Sequence, residues 1–254
     1  MNIISQVITD VLLMLYQLSG NLGLAVILFT LIIRSILFPL TASSLKASEK
    51  MRKLQPELSD LKKKHGKDAK ALQTAQMEMY KRYNINPLAG CLPQLLQIAV
   101  LILLYHVLVG FLAKTEIGGV TILPSFLWLD LTKPDSLYVL PVLAAVTQLI
   151  LSLMIAPGAE KRDLVPNDSK KKSVKEENKK EENFAEMAAS MQQQMLFVMP
   201  VMTGFIALRF PSGIALYWVI TTVFSIVQQW YISGPGGLVT YYQRAVEKIK
   251  TFSK

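Results

Sequence analysis

Cysteine is almost absent: Cys91 stands alone in 254 residues, so no disulfide can form within the chain. Histidine is nearly as scarce, and His65 and His106 cannot by themselves make the ligand set of a structural zinc. Acidic side chains are missing from every long apolar run, which argues against a carboxylate proton relay, an internal salt bridge or a cation site at membrane depth. No Lys or Arg precedes Arg34, so the start does not read as a cleavable signal peptide. No P-loop or comparable motif is present. These gaps leave no cofactor, metal or nucleophile to expect, and the chain does not read as an enzyme.

Apolar residues are what the chain has in excess, at 52% against the roughly 45–50% usual in soluble domains. They collect in runs of about 20 residues, the length a bilayer needs, separated by stretches dense in Lys and Glu. The fold predicted is an all-α integral membrane protein with about five transmembrane helices, a cytoplasmic antiparallel helical hairpin and an N-terminal interfacial helix. Residues 1–20 form that interfacial helix, with Ile3, Ile4, Val7, Ile8, Val11, Leu12, Leu15 and Leu18 on one face. The first span covers 21–40 and is closed by Pro39. In 41–86, stripes of Met51, Leu54, Leu58 and Leu61 and of Leu72, Ala75, Met79 and Tyr83 flank a break at His65-Gly66, so two helices fold back on one another.

The second span is 87–113, with Pro93 near its start, and the external loop 114–137 carries Trp128. The third span, 138–156, stops at Pro157-Gly158, and 157–193 is predicted to be a mobile cytoplasmic linker rich in Lys and Glu. Spans four (194–210) and five (214–232) are joined by Pro211-Ser212-Gly213 as a tight antiparallel pair, and 233–254 is a basic cytoplasmic tail. Charge orients the whole. Segments 41–86, 157–190 and 233–254 hold 11, 8 and 4 of the 27 Lys and Arg, and all three fall on one side of a five-span arrangement. By the positive-inside rule that side is cytoplasmic, with the N-terminus outside.

Arg34 falls inside the first span, where a guanidinium costs at least ~2.5–3.5 kcal/mol on insertion scales unless water or an acceptor meets it. Two readings are open. Arg34 lies six residues before Leu40, roughly 9 Å by helical rise, so its side chain can snorkel to the boundary. Alternatively it faces a wet cavity, because Thr30 is one turn away and other spans carry Gln94, Gln97, Thr147, Gln148, Ser152, Thr203, Thr221, Thr222, Ser225, Gln228 and Gln229. Some of these are expected to stitch helices together by interhelical hydrogen bonds. His106 reads as a neutral side chain, and Tyr217 with Trp218 fits an aromatic belt as well as a site.

Several strings then converge. They are Thr30 through Arg34, Phe38-Pro39-Leu40-Thr41, Lys50-Met51-Arg52-Lys53-Leu54-Gln55-Pro56, Asn86-Pro87-Leu88-Ala89-Gly90-Cys91, Pro93-Gln94-Leu95-Leu96-Gln97, and Phe210-Pro211-Ser212-Gly213 with Tyr217-Trp218. In this order and spacing the chain resembles the YidC/Oxa/Alb membrane protein insertases. The resemblance implies a hydrophilic groove open to cytoplasm and lipid, with Arg34 in its floor and Thr30, Gln97, Tyr217 and Trp218 lining it. Gln94, Thr221 and Gln148 are expected to share it. It also implies that nascent membrane proteins are the clients and a bacterial plasma membrane the location. The implied partners are the Sec translocon, the signal-recognition particle receptor and the ribosome. A small-solute transporter would instead show internal repeats and paired charges within the spans, and neither is seen.

Overall fold

A computed structural model describes residues 3–65, 68–83, 92–112, 116–117, 119–155, 197–239, 241–243 and 246. The long aliphatic runs form helices, which satisfy every internal backbone N–H and C=O without help from solvent. In chain order the helices are α1 (Ile3–Ser19), α2 (Leu22–Ile36), α3 (Phe38–Lys53), α4 (Gln55–His65), α5 (Ala69–Arg82), α6 (Leu92–Leu112) and α7 (Val139–Ile155). They are followed by α8 (Phe197–Ala207) and α9 (Ser212–Ser233). Between α6 and α7 lie two antiparallel ribbons, β1 (Glu116–Ile117) with β2 (Val120–Thr121) and β3 (Ser125–Phe126) with β4 (Leu129–Asp130). The expected all-helical chain is thus mostly helical, with two-residue strands in the loop between α6 and α7.

Helix α9 is central, packing on α7, α2 and α3. Its first six residues, Ser212 to Tyr217, are buried throughout. Helix α7 meets α8 where Gly204 faces Ala145; a Cβ on Gly204 would come within 2.9 Å of the Ala145 Cβ. Such small-residue contacts let helix backbones approach closely where lipid offers no hydrophobic drive to associate. Helix α1 does not lie alone. Leu12, Leu15 and Tyr16 enter the main core against α2 and α6, while Val7, Met14 and Leu18 stay exposed. The packed face keeps Leu12 and Leu15 of the predicted stripe, with Ile8 and Val11 beside the core, and adds Tyr16, whose hydroxyl bonds to the loop between α6 and α7.

The first span does not run straight to Leu40. Helix α2 ends at Ile36 and bends by 61° into α3. Pro39 has no N–H to continue the ladder, and it sits inside the first turn of α3, where that loss costs least. The carbonyls at the bend are met by side chains. Thr41 Oγ1 donates to Leu37 O at 3.0 Å, and Gln228 Nε2 of α9 donates to Thr41 Oγ1 at 2.6 Å. Both Thr41 and Gln228 are buried.

The opposite end is tied shut by the loop. Asn21 caps α2 through Gly23 N and also donates to Ser125 O at 3.3 Å. The Phe126 ring rests on Gly23, where any Cβ would collide with it. Tyr16 Oη donates to Thr121 O and accepts from Leu123 N. Ser212 Oγ donates to Asp130 O at 2.7 Å, and Ser212 N to Lys133 O at 2.7 Å. Thr132 and Lys133, which donate to Asp130, hold its carboxyl below the usual carboxylate range. Asp135 is the buried organiser of this end, accepting from Trp128 Nε1 (3.2 Å), Leu137 N (3.0 Å) and Leu140 N (2.8 Å). Asp135→Ala should therefore cost about 3 kcal/mol of stability, the scale of losing charge-assisted bonds to buried donors. Thermal unfolding in detergent would measure it, with Asp135→Asn expected to recover part of the loss.

Helices α4 and α5 pack through Leu54, Leu58 and Met79, with Leu61 and Tyr80 at the margin. Tyr83 Oη donates to Glu57 at 2.9 Å, joining the far ends of the two helices, so they run antiparallel across the short 66–68 link. That bond raises the Tyr83 pKa. The Met51 side chain and Gly66 lie outside the described residues, as do the whole 157–193 linker, Asn86 through Cys91 and half of the basic tail. Among the described residues, Ser212–Ser233 is long and apolar enough to cross a membrane alone, and the bent pair Leu22–Ile36 with Phe38–Ala47 meets the same length and composition only when its two parts are taken together. Gln97–Phe111, Val139–Ile155 and Phe197–Ala207 are apolar but shorter.

Candidate functional site

The buried stripe of α2 comprises Leu22, Gly23, Ala25, Val26, Phe29 and Thr30, and it stops there. Arg34 lies one turn farther, half-buried, where the helix leaves the core. Helix α6 runs the other way and shows the same gradient. Leu104, Val107, Leu108 and Phe111 are buried near the loop end, whereas none of residues 97–103 is. Packing is thus dense beneath the loop and sparse toward the hairpin.

In that sparse half the Arg34 Nη2 donates to Gln97 Oε1, joining α2 to α6. Tyr217 of α9, almost wholly buried, stands in electrostatic contact with Arg34. It also faces Gln97 and Thr221, though neither Gln97 Nε2 nor Thr221 Oγ1 reaches the geometry of a satisfied hydrogen bond. Buried polar atoms left unpaired are uncommon and costly, so their gathering beside a cation marks this place as one built for polar company. The three ion pairs among the described residues, Lys53 with Glu49, Lys63 with Asp60 and Lys133 with Asp130, lie in the hairpin arm and the loop. Arg34 is held by a neutral amide, and among the described residues no carboxylate pairs with it.

Four predicted site residues, Arg34, Gln97, Tyr217 and Thr221, therefore come together. Thr30 is fully buried one turn from Arg34, but its hydroxyl donates to its own helix at Val26 O, 2.6 Å away. Trp218 and Gln148 are half-buried on α9 and α7, and no described contact joins either to Arg34. The side chain of Gln94 lies outside the described residues. The hydroxyls expected to stitch helices together mostly bond backward within their own helix. Thr147 donates to Leu143 O, Thr222 to Trp218 O and Ser225 to Thr221 O. His106 likewise contacts Ile102 O on its own helix.

Sequence reasoning did not single out the Gln228–Thr41 bond beside the α2–α3 bend, although both residues were in view. Nor did it find Tyr16 or Asp135. The usable signal for Asp135 was an acid shortly before an apolar run, a residue type whose side chain bonds the backbone N–H two residues on, as it does at Leu137.

Comparison with known proteins places the chain in a family. The profile of the family described as 60Kd inner membrane protein matches residues 14–236. The Membrane protein insertase YidC of Maridesulfovibrio salexigens is 34% identical over 85% of this chain and 35% of its own length. That of Thiobacillus denitrificans is 39% identical over 85% and 34% respectively. The chain thus spans about a third of the length of these relatives. A crystal structure of an active YidC insertase, with its first transmembrane domain resolved, superposes with a TM-score of 0.60 at 26% identity, covering 91% of this chain and 47% of that one. With a profile match over most of its length, the chain belongs to the 60Kd inner membrane protein family, which includes the YidC insertases.

Proposed function

We propose that this chain is a membrane protein insertase and chaperone, working through a hydrophilic groove between α2, α6 and α9 that contains Arg34. The observation that carries the reading is the Arg34–Gln97 bond in the loosely packed half of the helix bundle, a cation held by a neutral group. The groove opens toward the hairpin side and to lipid, and the pinned loop closes it on the other. An incoming chain with an acidic or polar outside segment is drawn toward Arg34. At 4 Å a unit charge pair is worth about 1 kcal/mol in water but about 4 kcal/mol at an effective dielectric near 20. Water in the groove keeps the desolvation cost of the visitor low, and its apolar segment then slides sideways into lipid.

The orientation follows the charge count, with the N-terminus outside and the C-terminus cytoplasmic in a bacterial plasma membrane crossed by five spans. The α4–α5 arm receives clients and meets the signal-recognition particle receptor, the Sec translocon or the ribosome. No cofactor is called for. Reconstitution in liposomes tests the reading: a single-span substrate with an acidic outside tail should insert several-fold faster than one with a neutral tail. Equal rates, or solute flux in place of insertion, would overturn it.

A further inference from the structure

The external loop carries a surface that neither the groove nor the packing of the helices uses. Residues 117–129 contain no charged side chain, and the ribbon of β3 and β4 turns through Leu127-Trp128. Leu127 holds a φ of 54° and is 75% exposed. The first position of such a two-residue turn favours glycine, so a leucine here is conformationally unfavourable and, in water, unfavourable again by exposure. Trp128 beside it is 47% exposed, and Tyr138, the other non-glycine residue with positive φ among those described, is 60% exposed. Leu123 and Leu137 are exposed as well.

We propose that this loop tip is a membrane anchor that seats in the interfacial layer of the bilayer. Three features commit it to lipid. Its ring groups are the amphipathic Trp and Tyr that favour that layer. The indole N–H is already bonded to the buried Asp135, so the ring can leave water without an unmet donor. Tyr138 leads directly into α7, whose Val142 and Val146 are exposed apolar residues, so the surface continues into a face suited to acyl chains. The Asp130–Lys133 pair closes the apolar stretch on its polar side. Anchored this way, the tip pulls the loop against Gly23 and Asn21 and holds the closed end of the bundle at a fixed depth.

The inference rests on the chain being embedded in a bilayer, not on insertase activity, and the test separates the two. Two full-length single-tryptophan variants are reconstituted in phosphatidylcholine/phosphatidylglycerol vesicles carrying bromines at defined acyl depths: one keeps Trp128 (W218F, W230F), the other keeps Trp230 (W128F, W218F). Trp128 should be quenched most by bromines nearest the headgroups and shielded from aqueous iodide. Trp230, exposed on α9, reports embedding. Quenching of Trp230 without quenching of Trp128 overturns the anchor and leaves embedding intact; loss of both overturns both. In the Trp128 background, Leu127→Gly accepts the positive φ, so unfolding temperature should hold or rise while lipid quenching falls about twofold. Unchanged quenching, or quenching that follows protein density and not bromine depth, refutes lipid as the occupant.

Discussion

Arg34→Ala should slow insertion of a single-span substrate with an acidic outside tail by tenfold or more, while a neutral-tailed substrate loses far less. The size follows from the site. A charge pair in a partly wetted groove is worth less than the ~4 kcal/mol of an effective dielectric near 20, and half of that still gives more than a tenfold change in rate. Arg34→Lys should fall between, because a lysine keeps the charge but not the planar donor set that meets Gln97 Oε1. The measurement is protease protection of the substrate in proteoliposomes at several salt concentrations. Stability should not follow activity. Removing a half-buried cation leaves only a neutral amide behind, so unfolding temperatures of wild type and Arg34→Ala should stay close.

Tyr217→Ala should be the most damaging single change to the fold, costing about 3–5 kcal/mol, the range for deleting a buried aromatic ring. Tyr217 is among the largest side chains with almost no exposure, and it packs within the core cluster shared by α2, α6 and α9. Tyr217→Phe keeps the ring and removes only the hydroxyl that faces Arg34, Gln97 and Thr221. Its stability should stay within about 1 kcal/mol of wild type by volume conservation. Its insertion rate should nevertheless drop if the proposed groove uses the phenol as part of its polar lining. Thermal unfolding in detergent and the insertion assay, run on both variants, separate the packing role of this residue from its polar one.

Much of this was legible in the residues because hydropathy is a local signal. The apolar runs, the Pro211-Ser212-Gly213 turn and the two stripes meeting across His65-Gly66 can be read without knowing what packs on what. The bend of 61° after Ile36 was half-legible: Pro39 announces a break, but the Gln228–Thr41 bond beside it joins residues 187 apart in the chain. The inward place of Tyr16 on α1 was hidden for the same reason, since its partners Thr121 and Leu123 lie more than 100 residues away. Four of the candidate site residues came together because they share the faces that three helices turn toward one another. Gln148, on the same list, sits on α7 apart from them; residue type alone could not tell a lining glutamine from a peripheral one. The β-ribbons were missed because strands of two residues carry no periodicity to read.

The central proposal is that the Arg34 charge works because its partner is neutral. Gln97→Glu changes that partner to a carboxylate of nearly the same shape, so the fold should be kept or slightly stabilised while the charge offered to a client is cancelled. Insertion of the acidic-tailed substrate by this variant should fall toward the rate of Arg34→Ala. A variant that folds well and inserts that substrate at the wild-type rate would contradict the role given to Arg34.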